Sequence, residues 1–406
     1  MAASWGRTFA AFRHRNYRLW YAGQMVSLLG TWMQMTAQGF LAFELTRSPA
    51  FLGYVGFAAG IPSWLLMLHG GVVADRHPRR TVLIITQLTQ MALALALAAL
   101  IASGWIRPWH LILFAMLTGA VNAYDAPARQ SFVLELVDRP DMTNAIALSS
   151  TMFNLALTVG PALAGFVYSW VGPALCFLLN GVSFLAVIAA LALMKIPASV
   201  PHRRRSSVLA ELTEGIRYTA REPVVRALIL LVGATTLFGF ASTTLLPAWA
   251  VNILHGDATT NGFLYSARGL GSLVGAFCFA TFGHLPIRGK VLTAGTLGFP
   301  VFLFLFAGAR DTSWAFGLMA VGGMALIWIF NATNALIQSA TPDDLRGRVM
   351  AVYSLVFFGL SPLGSLWIGP AAHAWGESAA VHAAAAASML VAVAALVLAP
   401  QLRSLD

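Results

Sequence analysis

The chain alternates between long apolar runs and short polar stretches over nearly its whole length. A helix needs about 20 apolar residues to cross a bilayer, and only helices or closed barrels satisfy every backbone hydrogen bond in lipid. The runs lack the ten-residue alternation of a membrane barrel, so they predict helices. We place twelve spanning helices, spans 1 to 12, at residues 18–43, 51–73, 81–103, 108–128, 144–170, 174–195, 224–252, 260–283, 289–308, 313–337, 347–371 and 378–399.

The longest polar stretch, residues 196–223, divides the twelve spans into two groups of six. In it, Leu209, Leu212 and Ile216 recur at helical spacing among charged residues. This spacing predicts an amphipathic helix on the cytoplasmic face, while a solvated tether fits residues 196–205 equally well. The predicted parts of this all-α membrane protein are an N-terminal half, a linker and a C-terminal half at 1–195, 196–223 and 224–406.

The two predicted halves resemble each other in sequence. A segment beginning at Asn122, NAYDAPARQSFVLELVDRPD, has a counterpart beginning at Asn331, NATNALIQSATPDDLRGRV, and each precedes a Gly-rich span. The aligned glycines of those spans are Gly160 and Gly165 in one half, and Gly364 and Gly369 in the other. A duplicated six-helix unit is common in secondary transporters, whose substrate site lies near the bilayer midplane between the repeats. Chance similarity between apolar helices is the alternative.

Composition and charge support a membrane location. Hydrophobic residues make up 58% of the 406 residues and charged residues only 10%, whereas a soluble domain carries roughly 25% charged residues. Most Lys and Arg residues lie in the termini and in the loops after even-numbered spans, which we call the basic face; the opposite face has only Arg47, Arg107 and Arg310. The positive-inside rule predicts that the basic face, with both termini, is cytoplasmic in the cell inner membrane. We expect no nucleic-acid binding.

Polar residues inside spans 1, 4 and 10 fall into stripes at spacings of three and four, and span 7 has a looser set. Polar groups in lipid are costly and usually face a partner or a water-filled cavity. One such helix from each three-helix unit would line a shared central path, although hydrogen bonding between neighbouring helices is an alternative. The stripes comprise Gln24, Ser27, Thr31, Gln34 and Gln38 in span 1; Thr118, Asn122, Asp125 and Arg129 in span 4; Thr235, Thr236, Ser242 and Thr243 in span 7; and Asn331, Asn334 and Gln338 in span 10.

Arg268 is the one basic residue well inside a predicted span. A guanidinium at that depth needs a carboxylate, carbonyl oxygens or water. It would attract an anionic or carbonyl-rich substrate, or alternatively extend its stem outward to the interface. The residues predicted to line a substrate cavity are Gln24, Thr31, Gln34, Gln38, Asn122, Asn154, Arg268, Asn331 and Asn334.

The sequence has no pattern that indicates covalent chemistry. HExxH, P-loop and GxSxG motifs are absent, and no Cys or His cluster has metal-ligand spacing. The two cysteines, Cys176 and Cys278, fall in apolar runs of different spans, so we expect no disulfide. We therefore expect neither an enzyme nor a bound metal or cofactor.

The loop between spans 2 and 3 carries the most specific motif. GGVVADRHPRR resembles the G-x-x-x-D-R-x-G-R-R/K motif of the major facilitator superfamily, with Pro78 where the family usually has Gly. ALTVGPALAG in span 5 resembles the superfamily's antiporter motif through Gly160, Pro161 and Gly165. The wider sequence, including FELTRSP and PDDLRGRV, is similar to the branch of drug:proton antiporters that includes macrolide and enterobactin exporters.

The resemblance implies two six-helix halves that rock around a central cavity, and export rather than uptake. In the superfamily, the Asp of this loop lies near the start of span 11, where a helix N-terminus stabilises a carboxylate. Asp75 would thereby latch the outward-open state, and Arg79 or Arg80 would meet Asp125 beneath span 4. The predicted latch residues are Gly71, Asp75, Arg76, Arg79, Arg80, Asp125, Arg129, Arg346 and Arg348.

One position departs from the family pattern and bears on ion coupling. Members of this branch often have an acidic residue after the Gly of the span 1 LLG motif, where this chain has Thr31. Asp125 and Glu44 are then the membrane carboxylates left to carry a proton. Proton antiport is therefore implied mainly by the resemblance.

The sequence thus predicts a secondary transporter that exports amphipathic small molecules, such as drugs or siderophore-like compounds. Its expected partners are a small-molecule substrate, protons as the coupling ion and membrane lipid, and we expect a monomer. Two other functions stay open: a lysolipid or lipid flippase of the same fold, and a membrane sensor that does not transport.

Overall fold

The computed structural model describes residues 9–195, 208–282 and 288–404, and these contain helices and turns but no strand. Short 3-10 helices lie at Ala10–Arg13, Arg139–Asp141 and Pro400–Ser404. The longer helices are α1 Arg15–Thr46, α2 Pro49–Arg76, α3 Arg79–Ala102, α4 Pro108–Val133, α5 Met142–Val171, α6 Pro173–Leu193, α7 Val208–Arg221, α8 Pro223–Ile253, α9 Ala258–Phe282, α10 Arg288–Gly308, α11 Thr312–Ala340, α12 Asp343–Trp375 and α13 Glu377–Leu398.

The twelve predicted spans are confirmed as the long helices α1–α6 and α8–α13, with small differences at their ends. The largest is in span 4, which continues to Val133 because Pro127 lies inside the helix without stopping it. Eleven of these helices are long and apolar enough to cross a membrane by length and composition. The twelfth, α1, has 32 residues and carries the polar stripe of span 1. The all-α fold class is confirmed.

Short loops with defined capping residues end the helices. Ser48 precedes α2 and its hydroxyl accepts a hydrogen bond from the Phe51 amide at 3.4 Å, while Pro49 occupies the first helical position. Asp311 caps α11 by accepting from the amides of the next turn. Gly172, with φ of 104°, separates α5 from α6 in a conformation that a residue with a Cβ rarely adopts. These caps satisfy backbone groups that the helix ends leave unpaired.

The packing of helices repeats after six spans. Within the first six, α2 packs on α4, α3 on α4 and α6, and α1 on α5 and α6. The last six repeat this pattern, since α9 packs on α11, α10 on α11 and α13, and α8 on α12 and α13. The two most extensive contacts between the groups, α2 with α12 and α5 with α9, are also equivalent under the same shift. This repetition agrees with the duplicated sequence segments.

Helix α7 lies against the start of α12. Glu214 forms an ion pair with Arg348 at 2.8 Å, and the Tyr218 hydroxyl lies 3.5 Å from the carbonyl oxygen of Ala340. Partial burial, together with the nearby carboxylates of Glu222 and Asp344, raises the pKa of Tyr218 above its ordinary value. The phenol therefore stays protonated and able to donate at neutral pH.

Helix α7 lies within the predicted linker. Gly215 and Thr219 form its buried face and Leu212 packs against the core, while Ile216 is 48% exposed. The predicted tether at 196–205 lies outside the described residues.

Candidate functional site

Helices α2 and α12 meet along a row of small residues that allows their backbones to touch. A Cβ added at Gly53 would lie 2.5 Å from the carbonyl oxygen of Ser365, and one added at Gly369 would lie 2.8 Å from the Gly53 Cα. Further along, the Trp64 indole donates a hydrogen bond to the Leu355 carbonyl at 3.2 Å. Gly53 and Trp64 are eleven residues apart, about three helical turns, so they lie on one face of α2.

Helices α5 and α9 form the second contact between the two groups of six helices, which is equivalent to that of α2 with α12. A Cβ at Gly165 would lie 2.9 Å from the Thr259 Cα, and one at Gly269 would lie 2.9 Å from the Thr158 Cα. Near the end of the contact, the Ser169 and Thr259 hydroxyls lie 2.9 Å apart.

Two of the three antiporter-motif residues lie in this contact between α5 and α9. The Pro161 carbonyl and Gly165 both face α9. Gly160 faces α1 instead, where a Cβ would lie 2.6 Å from the Trp32 Cβ. The motif therefore packs α5 on α9 and on α1 at the same level.

The helices separate toward the basic face. Gly71 continues the α2 face that carries Gly53 and Trp64, yet a Cβ added there would meet nothing within 4 Å. On α12, Ala351 follows Leu355 by one turn toward the basic face and is exposed. The α2–α12 contact therefore closes the opposite face and leaves a gap on the basic face.

The latch residues pair differently from the prediction in this open arrangement. Arg79 forms an ion pair with Glu135, and Arg80 donates to the Ala192 carbonyl at 3.2 Å. The expected pairing of Arg79 or Arg80 with Asp125 is thus wrong for this structure. Glu135 follows the end of α4 and lies directly beside the start of α3, so it pairs with the Arg79 guanidinium in place of Asp125.

Asp125 is instead buried between α3 and α4. It is 4% exposed and accepts hydrogen bonds from the Thr86 hydroxyl at 2.8 Å and the Gln87 amide at 2.9 Å. Arg129, one turn further along the same helix, has its Nε 3.5 Å from the other carboxylate oxygen. Two neutral donors and one cation therefore surround the carboxylate.

The basic residues at the start of α12 are held locally. Arg346 pairs with Asp343 at 2.6 Å and donates to the Gln338 carbonyl at 3.0 Å. Arg348 pairs with Glu214 of α7, as described above. Asp75 and Arg76 end α2 on the same face, Asp75 half-buried and Arg76 exposed.

Most of the span 1 stripe packs between helices rather than facing a cavity. Gln24 and Gln34 are buried, and Asn180 of α6 donates to the Gln34 side-chain oxygen at 2.7 Å. Gln38 donates to the Leu111 carbonyl of α4 at 3.4 Å, and Thr31 donates to Ser27 within its own helix. The cavity prediction is therefore wrong for Gln34, because its amide finds a partner on a neighbouring helix.

Four asparagines that were predicted to line the cavity are at least partly exposed. Asn122 is exposed and accepts from the Gln90 amide at 3.0 Å. Asn331 and Asn334 line a cleft that opens near the starts of α10 and α12. Asn154 is half-buried, one turn from the Thr158 contact with α9. Asn154 thus lies beside the α5–α9 contact, on the side toward the basic face.

Arg268 lies in a partly open apolar pocket of the C-terminal helices. The pocket is bounded by α8, α9, α10 and α11, and Arg268 is 8% exposed. Beside it α8 is irregular, with π-helical turns at Thr235–Gly239 and Trp249–Ile253 and a 3-10 stretch at Phe240–Leu245.

Sequence reasoning missed three features of this site. It gave no role to Gly53 and Gly60 on α2 or to Gly262 on α9, although Gly53 and Gly60, like Gly262 and Gly269, lie seven residues apart. Small residues at such spacing are typical of close helix contacts in membranes. It also missed the Glu214 pairing, for which the sequence has no signal.

Comparisons with known proteins agree with this architecture. Residues 6–406 match the transmembrane secretion effector family. The chain is 26% identical to the multidrug efflux pump Tap of Mycolicibacterium fortuitum over 386 residues, covering 93% of this chain and 94% of Tap. It is 24% identical to the enterobactin exporter EntS of Shigella boydii over 349 residues, covering 84% of this chain and 81% of EntS.

A crystal structure of the nucleoside transporter NupG superposes with a TM-score of 0.72 at 15% identity, covering 95% of this chain and 99% of NupG. That likeness concerns the fold. Together with the family match over nearly the whole chain, it leads to one conclusion. The protein belongs to the transmembrane secretion effector family of the major facilitator superfamily, and it is an integral membrane protein.

Proposed function

We propose that this protein is a secondary active exporter of amphipathic small molecules across the plasma membrane. It works by alternating access, with proton antiport as the driving reaction and with the basic face and both termini in the cytoplasm. Relatives that are named as a multidrug efflux pump and an exporter support the direction of transport.

The observation that carries this proposal is the asymmetry of the contacts between the two groups of six helices. The α2–α12 and α5–α9 contacts are tight at the opposite face, while α2 and α12 diverge toward the basic face from Trp64 onward. Because the two contacts are equivalent under the six-helix repeat, one rocking motion would close the basic face and open the other. Such motion of one repeat against the other is the usual form of alternating access.

The proposed latch acts in the alternate state. Closure of the basic face brings the Gly71 surface of α2 against α12 and places Asp75 near the start of that helix. The first turn of α12 offers unpaired backbone amides to a carboxylate, and Arg346 and Arg348 lie on the next turn. Arg348 would exchange its present partner Glu214 for the loop between α2 and α3.

Asp125 is the proposed proton carrier. Among the described residues it is the one carboxylate that is almost fully buried. Its neighbouring cation is Arg129, whose Nε lies 3.5 Å from a carboxylate oxygen. Glu44, the other candidate, is exposed and accepts a hydrogen bond from Tyr168.

An efflux assay tests the export function. Cells that express the protein are loaded with a panel of fluorescent amphipathic compounds, and the loss of fluorescence is followed with and without an ionophore that collapses the pH gradient. We expect faster efflux of at least one compound than in cells without the protein, and slower efflux once the gradient is collapsed. Equal rates for the whole panel would refute export.

A pair of carboxylate variants tests the coupling. In Asp125→Asn the amide oxygen still accepts from Thr86, so the fold is kept, but no proton can bind at neutral pH. We expect gradient-driven efflux to be lost in this variant and kept in Glu44→Gln, the matched control. Gradient-driven efflux by Asp125→Asn at the wild-type rate would exclude Asp125 as the carrier.

A further inference from the structure

Arg268 is a buried cation for which the described residues provide no counter-charge. Its side chain is 92% removed from solvent by burial, and none of the described acidic groups forms an ion pair with it. Its Nε has no hydrogen-bond partner. The nearest aromatic groups are Phe240 and Tyr265, with ring centroids 5.5 and 5.8 Å from the guanidinium carbon.

The depth of Arg268 makes this isolation costly. It is the eleventh residue of α9, about 15 Å along the helix from its first residue at 1.5 Å per residue. This is about half of the 30 Å hydrocarbon layer. A charged side chain there normally faces a partner or a water-filled path, and the aromatic rings alone offset only part of its desolvation.

A second unpartnered polar group faces the same pocket. Ser242 is 5% exposed, its hydroxyl has no hydrogen-bond partner, and it lines the pocket together with Arg268. Thr243, the neighbouring hydroxyl, is already used, because it donates to the Phe240 carbonyl at 2.8 Å. The irregular turns of α8 place Ser242 here, and such turns occur often at functional sites.

The walls of the pocket are otherwise apolar and aromatic. Phe299, Phe302 and Phe306 of α10 and Leu326 of α11 contribute to them. No acidic residue lines the pocket. The free space at its centre is about 30 Å³, room for a group of one or two water-sized units such as a carboxylate.

We propose that Arg268 and Ser242 form an anion subsite that binds the carboxylate of an amphipathic monoanionic substrate. The guanidinium donates to both carboxylate oxygens and Ser242 adds a third donor, while the apolar part of the molecule extends from the mouth of the pocket, which has room for the carboxylate alone. This inference rests on the proposed function and narrows its substrate class. It predicts a preference for anionic over neutral compounds of equal size.

The test is direct binding to the purified full-length protein, which does not depend on transport. The probes are 1-naphthoate, which is ionised at pH 7, and 1-naphthamide, which has nearly the same shape without the charge. Chloride is the small inorganic anion for comparison. Binding is followed by calorimetry and by the thermal unfolding midpoint.

We expect naphthoate to bind about tenfold or more tightly than naphthamide, because hydrogen bonds to charged groups are the strong ones. In Arg268→Gln this preference disappears, and in Ser242→Ala it becomes smaller. Arg268→Lys keeps the charge without the planar fork and should bind at an intermediate level. Arg221→Gln, which removes an exposed charge at the end of α7, should match the wild-type protein.

Three results would overturn the subsite. These are equal binding of naphthoate and naphthamide, unchanged naphthoate binding by Arg268→Gln, and saturation by chloride with naphthoate no stronger at equal concentration. Ser242→Ala keeps the test decisive if Arg268→Gln does not fold. Absence of efflux of any compound would refute the transport function, while the binding result would still decide the subsite.

Discussion

Single positions on α2 illustrate how side-chain volume decides which helix surfaces can meet. Gly53 and Gly71 lie on the same face of one helix, yet only Gly53 touches α12 in this structure. At Gly53 the absence of a Cβ is required by the contact that is seen. At Gly71 no contact in this structure requires the absence of a Cβ. Under the latch proposal, the requirement arises when the basic face closes and this surface meets α12.

Replacement of these two glycines therefore has different expected outcomes. Gly53→Leu forces a side chain into the α12 backbone and should lower the thermal stability, since overpacking typically costs about 1–3 kcal/mol. Gly71→Leu should leave the thermal stability unchanged and still abolish efflux, because the basic face can no longer close. Thermal unfolding and efflux of the two variants provide the measurement. Wild-type efflux by Gly71→Leu would contradict the closure of this surface on α12.

Asp75 carries the charge of the latch. Asp75→Asn should insert and unfold as the wild-type protein does but lose about tenfold or more of its efflux, because hydrogen bonds to charged groups are worth about 1.5–3 kcal/mol. Expression level, thermal unfolding and efflux are compared in the same membranes, with Arg221→Gln as a surface-charge control. Efflux at the wild-type rate would exclude a latch at this position.

Residue spacing alone could identify the polar faces of the spans but not what lies opposite them. The stripe of span 1 was predicted to line a cavity, yet Gln34 meets Asn180, which is 146 residues away in sequence. Likewise, Arg268 was recognised as a membrane cation, but its aromatic walls come from other helices. The partners of a polar group in lipid depend on packing between distant helices, which spacing does not encode.

Whole helices were predictable because one physical requirement dominates them. A segment that crosses lipid must be long, apolar and helical, and eleven of the twelve described long helices meet that rule. The irregular turns of α8 were not predicted, because Pro247 and the Thr-rich segment also fit a regular helix.

The ion pair between α7 and α12 gives a prediction at the level of elements. Glu214 pairs with Arg348 in this structure, in which the gap lies on the basic face. Loss of the Glu214 carboxylate should therefore favour closure of that gap. Both residues are partly exposed, which limits the pair to about 0.2–1 kcal/mol. We expect Glu214→Gln to slow maleimide labelling of Ala351→Cys, an exposed position of the gap, by less than about fivefold.

A double-mutant cycle checks that the pair itself is responsible. Glu214→Gln should slow labelling in the wild-type background and should have no further effect in the Arg348→Gln background, where the pair is already absent. If the two effects were independent and simply additive, the ion pair would not control the opening.

For the whole molecule, the sequence predicted two related halves but not which face is closed. The repeated segments and the glycines of spans 5 and 11 indicate the equivalent contacts between the groups. The choice of state is absent from the sequence, because an alternating-access protein must be able to form contacts at both faces. The structure supplies that information through the α2–α12 and α5–α9 contacts.

A cross-link at the opposite face tests the central claim most directly, because export by alternating access requires α5 and α9 to separate there. In a protein with Cys176→Ala and Cys278→Ala, Ser169→Cys and Thr259→Cys replace two hydroxyls that lie 2.9 Å apart across the halves. Asn252→Cys with Glu377→Cys is the matched control, since those side chains are 2.6 Å apart within the C-terminal half. Efflux is measured after oxidation and again after reduction. We predict that oxidation stops efflux for the first pair alone and that reduction restores it; undiminished efflux by the fully cross-linked first pair would contradict the account.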